Sequence, residues 1–177
     1  QKVLEGRYEP NGGVWVECDC NITSGESMIR QFLWGQRFTR KYFNYTSDSF
    51  WLPDTFGYSA AIPQIMKGCG VKYFLTTKMA WNDTNQFPYD TFYWKGIDGT
   101  KVFAHLNKTH VWPAPKDFYQ YVYSTKSPDA IRQKYVANKK LISYGFGDGG
   151  GGPQFEMIEM ARRCPDLGGW PKGEDTT

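Results

Sequence analysis

The sequence predicts an α/β fold with a mostly parallel sheet, because short apolar runs alternate with segments of helical periodicity. Two of these runs end at an aspartate in a glycine-containing turn, Asp54 and Asp148, as strands do where they lead into a helix. With 177 residues, of which 40% are hydrophobic and 22% charged, the chain can bury one core. We expect one domain over residues 1–177. We also expect it to be incomplete, because its roughly four strand-helix units are fewer than a closed α/β barrel needs, and the start at Gln1 favours a processed piece or an excised domain.

Helices are predicted from apolar spacing and from end signals. Ser24 and Glu26 are typical of a helix start, and the apolar residues after them recur mainly every three to five positions. Pro63 and Pro128 suit the first turns of two further helices, and Gly68 suits the end of the former. We expect helices at 28–43, 60–67, 128–137 and 154–163.

Strands are predicted where apolar runs lie between turn residues. Gly12 and Gly13 indicate a turn before the first run, and Asp98-Gly99 indicates a hairpin turn. The aromatic-rich segment 108–126 is interpreted as a loop. We expect strands at 14–17, 49–52, 71–76, 91–94, 102–106 and 141–146.

Charge and composition argue against two classes of partner. The net charge is +3, and the basic residues are scattered with no run longer than two, so a nucleic-acid surface is not expected. No apolar run is long enough to span a membrane. The four cysteines are interpreted as buried thiols, which favours a reducing, cytoplasmic compartment. Four Asn-x-Thr acceptor patterns leave a vacuolar, lysosomal or secreted location open.

Asp54 and Asp148 are the candidate catalytic residues. Carboxylates at the carboxyl ends of two strands of one barrel would face the same pocket. Glycoside hydrolysis uses such a pair, one as nucleophile and one as proton donor, about 5–5.5 Å apart in retaining enzymes. The alternative for Asp54 is a helix-capping aspartate in a strand-to-helix turn.

Other polar and aromatic residues follow the predicted strands. Lys78 and Trp81 follow the strand at 71–76, so they either bind a sugar, with Trp81 stacking on a ring, or lie in a solvated loop. His105 either lines the pocket or forms a structural hydrogen bond. Glu17 and Asp19 share one face of the first strand. They could bind substrate, hold the catalytic residue in place through contacts away from the substrate, or form salt bridges.

Two other kinds of site fit the sequence less well. The glycine run after Asp148 lacks the lysine and Ser/Thr of a phosphate-binding loop. With only two histidines and no His-x-Asp pair, the chain offers no complete zinc site.

Several motifs together resemble the family 38 glycoside hydrolases, most closely the cytosolic and vacuolar α-mannosidases and their bacterial relatives. They span nearly the whole chain: Gly12-Gly13-Val14-Trp15-Val16-Glu17, Ser24-Gly25-Glu26-Ser27, Phe50-Trp51-Leu52-Pro53-Asp54-Thr55-Phe56-Gly57-Tyr58-Ser59, Pro63-Gln64-Ile65-Met66, Gly68-Cys69-Gly70, Trp81-Asn82, Asp98-Gly99-Thr100 and Gly145-Phe146-Gly147-Asp148.

The resemblance implies that these residues form part of a distorted (β/α)7 barrel that hydrolyses α-mannosides with retention. By motif match, Asp54 is the nucleophile and also a zinc ligand, Asp148 is the acid/base, and Phe56 and Lys78 line the sugar pocket. Zinc would clamp the mannose 2- and 3-hydroxyls. The implied partners are mannose-containing oligosaccharides, and a homo-oligomeric parent is left open.

The family pattern also implies zinc ligands that these 177 residues lack, a His-x-Asp pair upstream and a histidine downstream. We therefore expect the isolated chain to be inactive. Two other functions are considered: a carbohydrate-binding module without chemistry, and a different α/β-barrel enzyme such as a metal-dependent deacetylase. The latter would need histidine-rich motifs that this sequence lacks.

Overall fold

Helices and strands alternate along the chain, in agreement with the predicted α/β class. A computed structural model describes residues 1–124, 130–148 and 151–174. The chain folds as two compact units, of which the first ends at Leu106 and the second begins at Asn107.

The first unit is built on a four-stranded mixed sheet. Strand β1 (Ser49–Trp51) pairs in parallel with β2 (Tyr73–Thr76), β2 pairs in parallel with β4 (Lys101–Leu106), and β3 (Thr91–Lys95) and β4 form the predicted antiparallel hairpin. The sheet order is therefore β1-β2-β4-β3. In chain order, its elements are α1 (Gly25–Phe43), β1 (Ser49–Trp51), α2 (Ile62–Gly68), β2 (Tyr73–Thr76), β3 (Thr91–Lys95) and β4 (Lys101–Leu106).

Helix α1 and the sheet share the main core of this unit. Phe32 of α1 is buried against Phe50 of β1, with ring centroids 4.9 Å apart, and Phe50 lies 5.7 Å from Phe74 of β2. Each fully buried phenylalanine contributes about 1.5–3 kcal/mol. The predicted N-cap of α1 is confirmed, because the Ser24 hydroxyl accepts a hydrogen bond from the Ser27 N–H.

The predicted strand at 14–17 is wrong. This segment is a series of bends that packs along α1 instead of pairing with a strand. The Trp15 N–H donates to the Gln31 carbonyl at 2.9 Å, and the Val16 N–H donates to the Gln31 side chain at 3.1 Å. A helix therefore provides the hydrogen-bond partners that a neighbouring strand would otherwise supply.

The second unit contains a two-stranded parallel sheet and two helices. Strand β5 (Lys108–Val111) pairs with β6 (Ile142–Tyr144), and α3 (Pro115–Tyr123) and α4 (Phe155–Arg163) follow the respective strands. The strand predicted at 141–146 and the helix predicted at 154–163 are both confirmed.

Two predictions for the second unit are wrong. The segment 108–126 contains β5 and α3 rather than a loop. In α3, Pro115 occupies the first turn, and the rings of Tyr119 and Tyr123 lie 4.9 Å apart, one helical turn from each other. The described part of the predicted helix at 128–137 consists of turns. Its Ile131 N–H donates to the Tyr121 carbonyl of α3 instead of bonding locally.

Within the described ranges, no helix combines the length and the apolar character that crossing a bilayer requires.

Substituting Gly35 tests the contact between α1 and the 14–17 segment. A Cβ at Gly35 would lie 2.3 Å from the Val14 carbonyl carbon, whereas one at Gly25 of the same helix would lie 4.0 Å from the Ile65 Cδ1. Gly35→Ala gains up to ~1 kcal/mol of helix propensity but forces two backbones apart. We expect a net loss of about 1–3 kcal/mol in the free energy of unfolding, measured by chemical denaturation.

Gly25→Ala is the matched control and should be neutral or stabilising. Equal effects of the two substitutions would contradict this packing.

Candidate active site

Asp54 lies in a turn that leaves the sheet at the carboxyl end of β1. The Leu52 N–H donates to the Leu75 carbonyl at 2.9 Å, which extends the pairing with β2 one residue beyond the strand. The Thr77 N–H then donates to the Pro53 carbonyl at 3.3 Å, and the Thr77 hydroxyl donates to the same oxygen. The backbone segments that follow β1 and β2 are therefore held side by side.

Asp54 contacts Lys78, which begins the short 3₁₀ turn after β2. The ammonium nitrogen lies 2.8 Å from the Asp54 Oδ1, with the lysine side chain 12% exposed and the aspartate side chain 55% exposed. The same nitrogen lies 3.3 Å from the centroid of the Trp81 ring and 5.0 Å from that of Phe56. Both rings are about 70% exposed. Four of the six predicted site residues are therefore neighbours.

The helix-cap alternative for Asp54 is wrong. Helix α2 begins at Ile62, its N-cap residue is Ala61, and no side chain caps it. The carboxylate of Asp54 is instead bound to the Lys78 ammonium at an exposed edge. A carboxylate beside a cation and two exposed aromatic side chains can bind and react with a sugar, because pyranose rings stack on aromatic faces.

Glu17 and Asp19 have different roles although they are two residues apart. The Glu17 Oε1 accepts a hydrogen bond from the Asp54 backbone N–H at 2.6 Å. The Asp19 Oδ1 accepts from the backbone N–H groups of Ile22 and Asn21, both at 2.8 Å, and these bonds lower the pKa of Asp19. Asp19 therefore stabilises its own turn, whereas Glu17 contacts the turn that carries Asp54.

Tyr58 belongs to this region and was not predicted as a site residue. Its hydroxyl hydrogen-bonds with the Thr76 hydroxyl at the end of β2. Burial raises the pKa of Tyr58 to about 12, and the charges of Glu17 and Asp54 act in the same direction. The phenol therefore stays protonated at neutral pH. Its position within the motif around Asp54 was the only sequence signal for it.

His105 lies on β4, directly opposite Thr91 of β3. Its Nδ1 is 2.9 Å from the Thr91 hydroxyl, which is a structural hydrogen bond between the two strands. On the other side, His105 is in register with Leu75 of β2. Its place in a sugar pocket stays a prediction.

Asp148 belongs to the second unit and is exposed in the segment after β6. Its φ is 53°, in the left-handed region that aspartate tolerates better than most residues. The Phe146 N–H donates to the Gly152 carbonyl at 2.9 Å, and a Cβ at Gly151 would lie 2.2 Å from the Phe146 carbonyl oxygen. The segment folds tightly onto its own backbone, which explains the need for glycine at 151. The acid/base role of Asp148 stays a prediction.

The described residues do not form a metal site by themselves. Among residues 1–124, 130–148 and 151–174, no group of three or more His, Cys, Asp or Glu side chains is arranged to hold a metal ion. Asp54 offers carboxylate oxygens, and one of them is bound to an ammonium group. A zinc ion needs three or more protein ligands.

Comparisons with known proteins agree with the resemblance of the motifs. Residues 1–177 match the glycosyl hydrolases family 38 N-terminal domain. The whole chain is 45% identical to Alpha-mannosidase G of Dictyostelium discoideum. Over 94% of its length, it is 46% identical to Alpha-mannosidase 2C1 of Homo sapiens and 44% identical to Alpha-mannosidase of Saccharomyces cerevisiae.

The chain is similar to a short part of each of these proteins. It spans 16%, 16% and 15% of their respective lengths. In the crystal structure of an alpha-mannosidase from Enterococcus faecalis V583, 12% of that chain superposes on 59% of this one. The TM-score is 0.51 and the sequence identity is 25%.

The lowered pKa of Asp19 predicts a pH dependence of stability. A carboxyl group whose pKa is depressed on folding stabilises the fold above its unfolded pKa, and this contribution is lost as the pH falls through the folded pKa. The ordinary value is 3.8, so the loss should occur below that pH. Asp19→Asn keeps an acceptor oxygen but removes the charge.

We expect the wild-type chain to unfold less readily than Asp19→Asn at about pH 6, and this difference to shrink toward about pH 2. Urea denaturation of both chains across this range measures it. A difference that stays constant with pH would contradict the assigned role of Asp19.

Proposed function

The chain belongs to glycosyl hydrolase family 38, and we propose that the protein containing it is a retaining, exo-acting α-mannosidase. Its substrates would be oligosaccharides that carry α-linked mannose. The observation that carries this proposal is the position of Asp54, which lies at the end of β1 against the Lys78 ammonium and beside the exposed rings of Phe56 and Trp81.

We propose that residues 1–177 are part of a catalytic domain built as a distorted (β/α)7 barrel. Strands β1, β2 and β4 are parallel neighbours, and α2 connects β1 to β2. This β-α-β arrangement is the repeating unit of α/β barrels, whose active sites lie at the carboxyl ends of the strands. Asp54 occupies such a position after β1.

In the proposed reaction, Asp54 attacks the anomeric carbon of the terminal mannose, and the glycosidic bond breaks as a mannosyl ester forms. Asp148 protonates the departing oxygen. It then removes a proton from the water molecule that cleaves the ester and releases mannose and the Asp54 carboxylate. Because two inversions occur at the anomeric carbon, the configuration is retained.

Lys78, Phe56, Trp81 and His105 are the proposed sugar-binding residues. An ammonium group held at 12% exposure can orient the Asp54 carboxylate and donate hydrogen bonds to sugar hydroxyls. The exposed rings of Phe56 and Trp81 meet at 74°, with centroids 6.4 Å apart, so their open faces point in different directions. Two such faces can contact two parts of an oligosaccharide.

We propose Asp54 as one zinc ligand, with the remaining ligands supplied by segments outside these 177 residues. When bound, zinc would act as a Lewis acid and a clamp on two adjacent mannose hydroxyls. The Oδ1 of Asp54 already contacts the Lys78 ammonium, so this lysine would have to share or release the carboxylate when a metal binds.

Asp54→Asn in the full-length protein tests the nucleophile. Because an amide cannot form the glycosyl ester, we expect kcat on an aryl α-mannoside to fall by roughly 10³-fold or more. Asp98→Asn is the control, since Asp98 caps the hairpin turn between β3 and β4 by accepting from Thr100. It should leave kcat within about twofold. Wild-type activity in Asp54→Asn would contradict the proposal, as would sugar binding by a wild-type protein without hydrolysis.

Zinc analysis of the isolated 177-residue chain tests the incomplete metal site. A single carboxylate holds zinc weakly, so we expect well below one zinc per chain after dialysis, and no α-mannosidase activity. Elemental analysis by mass spectrometry, together with an aryl-mannoside assay, provides the measurement. One zinc per chain or measurable turnover would show that these residues form a complete site.

A further inference from the structure

We propose that Glu17 is a positioning residue for Asp54, an inference that rests on the proposed function of Asp54 as nucleophile. The Glu17 Oε1 lies 2.6 Å from the Asp54 backbone nitrogen. The two residues are far apart in the sequence, so this bond connects the 14–20 segment to the turn that follows β1. A carboxylate acceptor makes the bond short and charge-assisted.

The bond to Glu17 completes a set of restraints on the turn at 53–55. The Pro53 carbonyl accepts from Thr77, and the buried Thr55 hydroxyl donates to the Cys18 carbonyl at 3.3 Å. These bonds fix the residues on either side of Asp54. The bond to Glu17 fixes the peptide N–H of Asp54 itself, and therefore the direction in which the Asp54 side chain leaves the backbone.

The negative charge of Glu17 is compatible with a positioning role. Glu17 places a second negative charge near Asp54, and like charges repel. The Lys78 ammonium binds the Asp54 Oδ1 and offsets the repulsion. When Asp54 becomes a neutral ester, the repulsion from Glu17 disappears, so the charge of Glu17 does not oppose the bond-forming step.

Orientation of a nucleophile affects rate more than it affects stability. A misplacement of about 1 Å at a reacting group costs on the order of 10²-fold in rate. Glu17 is exposed, so removing its bond should change the melting temperature of the protein little. A large change in the rate of ester formation with a small change in stability is thus the signature of positioning.

Two substitutions separate the effect of the length of the Glu17 side chain from the effect of its charge. Glu17→Asp keeps the charge but withdraws the acceptor by one methylene, whereas Glu17→Gln keeps an acceptor at full reach without the charge. The probe is a fluorinated mannosyl fluoride that forms a long-lived glycosyl ester, and intact-mass spectrometry follows its uptake by the full-length protein. We expect Glu17→Asp to slow labelling by about 10- to 100-fold, and Glu17→Gln by no more than about threefold.

Asp19→Asn is the matched control, because its carboxylate also accepts backbone hydrogen bonds but only within its own turn. It should label at the wild-type rate. Wild-type labelling rates in Glu17→Asp would overturn the inference and leave the proposed function intact. Slowing in Glu17→Gln as large as in Glu17→Asp would also overturn it, because an acceptor at full reach would then not be enough to hold the Asp54 N–H. A wild-type protein that takes up no label would remove the proposed function and this inference together.

Discussion

The parallel pairing of β1 with β2 is the constraint on which the candidate active site depends. The pairing continues beyond β1 through the hydrogen bond from the Leu52 N–H to the Leu75 carbonyl. The segments that follow β1 and β2 therefore leave the sheet side by side. The turn that carries Asp54 and the turn that carries Lys78 therefore start at the same edge. A shift of one residue in this register would turn every side chain of the strand to the opposite face and separate the pair.

The backbone of the site is held more firmly than its ion pair. The hydrogen bonds to the Pro53 carbonyl and from the Asp54 N–H fix the turn, and none of them uses the Asp54 carboxylate. The contact between Asp54 and Lys78 joins a largely buried ammonium to a carboxylate that is 55% exposed. Such a pair stabilises a protein by less than about 1 kcal/mol. A ligand can therefore replace this contact without disturbing the turn.

Sequence patterns correctly predicted the elements whose sequence signals lie within the element itself. The cap at Ser24, the hairpin turn after β3 and the strand that precedes Asp54 were all visible in the sequence. The bends at 14–17 were mispredicted because the N–H groups of Trp15 and Val16 bond to Gln31 of α1, and in the turns at 130–137 the Ile131 N–H bonds to α3; periodicity does not encode such bonds. The pairing of β1 with β2 places Lys78 and Trp81 beside Asp54, whereas the hydrogen bond from the Asp54 N–H to Glu17 could be seen only in the fold.

The central claim is that Asp54 is the residue that bonds to the sugar. Peptide mapping of the full-length protein after reaction with a fluorinated mannosyl fluoride tests this claim most directly. The account predicts one glycosyl adduct on the peptide that contains residues 50–59, with fragment ions placing it on Asp54. An adduct on a different carboxylate would contradict it.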